Sequence, residues 1–166
     1  MSAKKPTKKP SFVIDTNVLL TASGKASHHS NDDCKLEAAK FLHKIQGNKI
    51  LIHLDESGDI LKEYRKKSSP FKDRRAGDEF LRYLIQNAYR KNLVDFVRVE
   101  KDEQENHIHF PADPDLRKFD NDDRKFVAVA IASNREPEIV NAGDSRSWEN
   151  YKNSLQKYVK LKFLCK

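Results

Sequence analysis

Phe12-Val13-Ile14-Asp15-Thr16-Asn17-Val18-Leu19-Leu20 decides how the rest of this chain is read. Phe12 to Ile14 has the short, β-branched composition of a buried strand. Asp15 closes it, and the apolar residues that follow turn the chain into a short helix. A carboxylate at that junction stands at the C-terminal edge of a sheet. In open α/β sheets ligands bind at that edge, because loops and helix N-termini converge there around polar groups that buried strands cannot host.

Outward from this stretch, strand and helix signals alternate. Ala22 to Asn31 is a Ser/His/Gly-rich loop, and Asp32 or Asp33 is placed to cap a helix carrying Leu36, Ala39, Phe41, Leu42 and Ile45, ended by Gly47. Lys49 to Leu54 reads as a second strand, and Asp55 to Ser57 opens a helix with Ile60, Leu61 and Tyr64. Phe80, Leu81, Leu84, Ile85 and Ala88 give a third helix over about Arg75 to Arg90. Leu93 to Val99 is a strand expected at an edge, and Glu100 to Asn121 a long, charged loop of the functional or mobile kind. Asp122 to Ser133 returns to helix, Glu138 to Ala142 to strand, Tyr151 to Tyr158 to helix, and Val159 to Cys165 ends the chain as a strand. Such alternation without repeats predicts an α/β fold, a three-layer α/β/α sandwich around a central, mostly parallel sheet.

With 166 residues, 37% of them apolar, the chain is expected to form one domain with one core. It divides into a basic leader, residues 1–10, expected to be disordered, and a domain over 11–166. The formal charge is +7; Lys4, Lys5, Lys8 and Lys9 of the leader carry four of these charges and leave +3 on the body. This balance suits a polyanionic partner such as nucleic acid. Cys34 and Cys165 are too few for a disulfide framework and belong to no CxxC pair. They are expected as buried small hydrophobes in a reducing compartment, without structural zinc. No apolar run approaches membrane-spanning length, so a cytoplasmic protein with no membrane partner is expected. A GxSxG turn and a P-loop are both absent from the sequence.

Four segments together resemble the PIN-domain nucleases. They are Phe12-Val13-Ile14-Asp15-Thr16-Asn17-Val18-Leu19-Leu20, Glu63 on the helix after the second strand, Asp122-Asp123-Arg124-Lys125-Phe126-Val127-Ala128-Val129-Ala130, and Ile139-Val140-Asn141-Ala142-Gly143-Asp144. The resemblance spans roughly Ser11 to Trp148. It implies a metal-dependent phosphodiesterase, an endoribonuclease acting on single-stranded RNA with Mg²⁺ or Mn²⁺ held by carboxylates. Many such proteins are toxins of bacterial toxin–antitoxin pairs, which adds an antitoxin protein and a second copy of the chain as partners. DNA is the alternative substrate.

The chemistry suits that implication, since Mg²⁺ is held by few carboxylates plus water and substrate phosphate. Asp15, Glu63 and Asp123 are the principal metal-contacting candidates and Asp144 a fourth, with Asn17 orienting Asp15 or water. Ala142 stands where many relatives place a hydroxyl residue, and Ser145 or Ser147 is the candidate replacement. Asp120 and Asp122 rival Asp123, because either could cap the helix that follows, and Glu56 and Asp59 share a helix face with Glu63. The basic run Lys62 to Arg75 supplies Arg65, Lys66, Lys67 and Arg74 as candidate substrate-binding residues, with Tyr64 and Phe71 interleaved. His28, His29, His107 and His109 lie in polar loops and receive no catalytic role. Two further readings stay open: a structure-selective DNA nuclease of the flap-nuclease type, and an inactive PIN-like or receiver-like module that binds or switches.

Overall fold

Five strands, β1 (Ser11–Ile14), β2 (Leu51–Asp55), β3 (Val94–Val97), β4 (Glu138–Asn141) and β5 (Lys160–Phe163), form one sheet in the order β3-β2-β1-β4-β5, every neighbouring pair parallel. The computed structural model describes residues 9–25, 31–69, 72, 74–143 and 146–165. The helices are α1 (Thr16–Ala22), α2 (Asp32–Asn48), α3 (Asp59–Lys67), α4 (Ala76–Gln86), α5 (Arg124–Ala132), α6 (Arg146–Asn150) and α7 (Lys152–Leu155). They flank the sheet in a three-layer α/β/α sandwich, as the alternation of the sequence predicts. Residues 1–8 of the leader lie outside the described residues.

β1 is central and buried along its whole length, with Phe12 facing Ile52 of β2 on one side and Glu138 of β4 on the other. The chain builds outward from β1 through β2 to β3, then returns across the sheet to add β4 and β5. The order therefore reverses between β1 and β4, and the crevice outside their carboxyl ends is where such a sheet takes ligands. β3 is an edge strand, as expected.

Several local expectations need correction. Asn31, not Asp32 or Asp33, caps α2 by accepting from the Cys34 amide at 2.8 Å, and the two aspartates occupy the first turn, where the helix dipole favours them. α2 runs through Gly47 and stops at Lys49, which adopts a left-handed φ of 52°. Asp55 ends β2 instead of opening a helix. Its buried carboxylate accepts from the amides of Asp59 at 2.7 Å and Ile60 at 2.8 Å and from the Ser57 hydroxyl at 2.6 Å. The segment after β3 is anchored, not loose: Leu116 and Phe119 are buried, and Phe119 meets Trp148 and Tyr151 edge-on. The helix expected over Tyr151 to Tyr158 is reduced to α7.

Cys34 and Cys165 are not buried thiols. They form a disulfide with Cα atoms 5.4 Å apart, half-buried, joining the start of α2 to the residues after β5. Their spacing of 131 residues hides this pairing from the sequence. Elsewhere, Gly77 marks a close approach between α4 and α1. A Cβ there would lie 2.2 Å from the Leu19 carbonyl oxygen, while its amide donates to the Ser23 hydroxyl at 2.9 Å.

Candidate active site

Asp15 is 5% exposed at the carboxyl end of β1, where its own amide donates to the Val140 carbonyl of β4 at 2.9 Å. Its carboxylate caps α1, accepting from the Asn17 amide at 3.3 Å and from Asn141 Nδ2 at 3.3 Å. The Asn17 side chain reaches past Asp15, donating to Asn141 Oδ1 at 3.0 Å and accepting from the Ala142 amide at 3.1 Å. Asn17 thus supports Asp15 through its backbone, and the side-chain support comes from Asn141. The two asparagines clasp β1 to β4 at the point where the strand order reverses.

α3 and α5 bring two more carboxylates to this edge. Glu63 accepts from the Thr16 hydroxyl and pairs with Lys125 Nζ at 2.9 Å, and Lys125 also donates to the Asp122 carbonyl. Asp123 closes a 3-10 turn, Asn121–Asp123, immediately before α5, and accepts from the Ser147 hydroxyl at 3.4 Å. Tyr64, beside Glu63, donates its hydroxyl to the Ile14 carbonyl. It is wholly buried, so it cannot serve the basic stretch as an exposed aromatic.

The electrostatics show that these acids share one environment. Burial holds the Asp15 carboxyl well above the ordinary carboxylate range; the charges of Asp123 and Glu63 push the same way, against the Asn17 amide and Lys125. Burial, then Asp120 and Glu63, raise Asp123 to about 6, opposed by Lys125 and Ser147. Three acids therefore converge on a single described ammonium, which is already hydrogen-bonded to one of them. The Tyr64 phenol is likewise pushed far up by burial and by the charges of Asp15, Glu63 and Asp55.

The rivals separate on geometry. Asp59 turns to Lys101 at 2.7 Å, which lowers its pKa, and Glu56 is exposed. Asp120 caps the turn by accepting from the Asp122 amide at 2.9 Å, and both are exposed, which leaves Asp123 as the acid turned inward. Asp144, Ser145, His28, His29 and Phe71 lie outside the described residues. Ser147 supplies a hydroxyl that donates to Asp123. Arg65, Lys66 and Lys67 are exposed in the last turn of α3, where the helix dipole favours cations, and Arg74 is exposed just before α4. Thr16, Lys125 and Asn141 are the site residues that sequence reasoning missed. Lys125 had a signal, being the one charge that interrupts the buried side of a helix otherwise composed of Phe126 to Ala130.

Among the described residues, no group of three or more His, Cys, Asp or Glu is placed closely enough to enclose a metal ion. Asp15 and Asp123 nevertheless fit a hard cation by their donor chemistry: a buried and a half-buried oxygen donor whose charges repel, and Mg²⁺ needs only one or two carboxylates when water and phosphate complete its shell. Beside them lies a pocket of about 380 Å³ lined by Asp59, Lys101, His107, Asn121, Asp122 and Lys125. No described helix is long and apolar enough to cross a membrane. Compared with known proteins, the chain matches no protein-family model, no curated protein and no solved structure.

Proposed function

We propose that the chain is a divalent-metal-dependent endoribonuclease of the PIN type that hydrolyses phosphodiester bonds of single-stranded RNA. The observation that carries the reading is how poorly Asp15 and Asp123 are satisfied. A structural acid in this fold resembles Asp55, whose buried carboxylate accepts three short hydrogen bonds. Asp15 accepts two at 3.3 Å and Asp123 one at 3.4 Å, and each is held above its ordinary pKa. A buried and a half-buried carboxylate kept in repulsion at a strand-order reversal suit a cation-binding site better than a structural one.

Asp15 and Asp123 would hold Mg²⁺ or Mn²⁺, with Asp144 a further ligand from its place in the resemblance. When bound, such an ion supplies Lewis acidity and a water of lowered pKa for in-line attack on phosphorus. The Asn17–Asn141 clasp fixes the Asp15 carboxylate, so that its direction does not depend on a mobile side chain. Glu63, gripped by Thr16 and Lys125, presents acceptor oxygens next to that carboxylate and can orient water. Lys125 spans the acids and the adjoining pocket and can offset charge on a phosphate drawn into it. Arg65, Lys66, Lys67 and Arg74 would meet the backbone of a longer strand. A toxin role, with an antitoxin and a homodimer as partners, belongs to the same proposal; the Cys34–Cys165 disulfide favours an oxidising compartment over the cytoplasm.

The test is cleavage of end-labelled single-stranded RNA and matched DNA by purified protein with Mn²⁺, Mg²⁺ or EDTA, alongside Asp15→Asn. Metal-dependent cleavage of RNA that disappears in the variant is expected. DNA cleavage with RNA left intact would favour the flap-nuclease type. Equal activity in the two proteins would sink the site assignment. Growth arrest on expression, relieved by Asp15→Asn, tests the toxin role.

A further inference from the structure

A parallel sheet starts every strand at the same edge, so whatever residue precedes each strand is gathered there. In this chain a cation stands there for all five strands, within three residues before the strand or at its first position. Lys9 lies two residues before β1, Lys49 two before β2, Lys91 three before β3, Arg135 three before β4, and Lys160 is the first residue of β5. The strand order places them across the sheet as Lys91, Lys49, Lys9, Arg135 and Lys160. At about 4.8 Å between strands, they form a ramp roughly 19 Å long, at the edge opposite the carboxylates.

All five line one groove of about 1000 Å³, together with Lys44 and Lys162 and against two carboxylates, Glu136 and Glu138. All five are exposed, and among the described residues none of them forms an ion pair. Phe12 and Phe41 also line the groove, with Lys162 Nζ 5.6 Å from the Phe41 ring centre. We infer that this groove binds the sugar–phosphate backbone of single-stranded nucleic acid, as a second site remote from the proposed catalytic edge. Single charges repeated at the strand spacing match a regular polyanion. A concave groove of this size suits a strand better than the flat surface of a membrane. Binding here requires nothing of Asp15 or Asp123.

The test is fluorescence anisotropy of a labelled single-stranded RNA of about 15 nucleotides with the full chain in EDTA, over a range of salt, comparing the triple variant K49E/K91E/K160E with K35E/K40E/K152E. The second triple makes the same change in net charge at exposed lysines outside the groove. Three phosphate contacts contribute about 0.7 each to the salt slope of single-strand binding, so losing them lowers the slope by about 2 and the affinity about 100-fold at about 0.1 M salt. The second triple is expected to lose less than about threefold. Acetylation footprinting of the unaltered protein should show RNA protecting Lys49, Lys91 and Lys160 but not Lys35 or Lys40. Equal weakening in both triples would reduce the effect to net charge and overturn the site. So would absent protection, or polyglutamate competing as well as unlabelled RNA.

Discussion

Replacing Asp123 by Asn should make the metal-free protein more stable, by an amount the geometry sets. Asp123 stands at about 6 instead of 3.8 because burial, Asp120 and Glu63 disfavour its charge. An acid whose folded pKa is raised binds more protons folded than unfolded between those two values, so stability falls as pH rises through that window and stays low above it. The rise corresponds to about 3 kcal/mol at neutral pH. Solvent screening of a partly exposed side chain brings the expected gain to about 1–3 kcal/mol. Asn carries no charge at any pH, and its amide oxygen can still accept from Ser147. In a domain of this length that gain is roughly 3–9 °C in Tm. The assay is thermal denaturation of wild type and Asp123→Asn in EDTA, from about pH 4 to about pH 7, and the difference should open only above about pH 4. A variant no more stable than wild type near neutrality, or equally stabilised near pH 4, would refute the charge argument.

Other expectations follow from the same geometry. Mn²⁺ should stabilise wild type by about 2.7 kcal/mol at a hundredfold excess over Kd, raising its Tm, and should not do so for Asp15→Asn; thermal shift with and without metal decides. Lys125→Met leaves Glu63 beside two other acids without its ammonium and should cost about 2–4 kcal/mol in EDTA, measured by urea denaturation. Asp55→Asn should do the reverse of Asp123→Asn and destabilise by about 1–2 kcal/mol, because that carboxylate caps α3. Gly77→Ala drives a methyl to 2.2 Å from the Leu19 carbonyl and should cost about 2 kcal/mol or more by the same denaturation measurement, displacing the helix that carries Thr16 and Asn17.

The sheet was legible because its signals are local. Phe12 to Ile14, Ile50 to Leu54 and Ile139 to Val140 are short β-branched runs separated by amphipathic helices, and a parallel sheet follows from that alternation alone. Asp15 was legible for the same reason, as an acid closing a buried strand. The partners of the acids were not. Whether Glu63 or Asp59 faces the site depends on Lys101, over 40 positions away in sequence, and Asn141 contacts Asp15 across 126 positions. Asp55 read as the opening of a helix because a strand's last position and a helix's cap can be the same residue, and only the fold shows which donors it meets. The cationic ramp is a product of topology: the five residues are scattered through 151 positions, and nothing adjacent in sequence marks them as a set.

The Cys34–Cys165 bond also divides the chain in a way that the order of elements conceals. Every strand but β1, and every helix but α1 and the first two residues of α2, lies within the covalent ring it closes. Residues 9–25, with Asp15, Thr16 and Asn17, enter that ring as a separate insert, whose strand fills the slot between β2 and β4. One cut between Lys25 and Asn31 would therefore leave a linear peptide and a circularised remainder. Each piece would hold part of the proposed site: one would carry Asp15 and the other Glu63, Asp123 and Lys125. Mixing such halves would rebuild the centre of the sheet and the carboxylate cluster in one step, so the fold is suited to fragment complementation, with recovered function reporting the docking of β1.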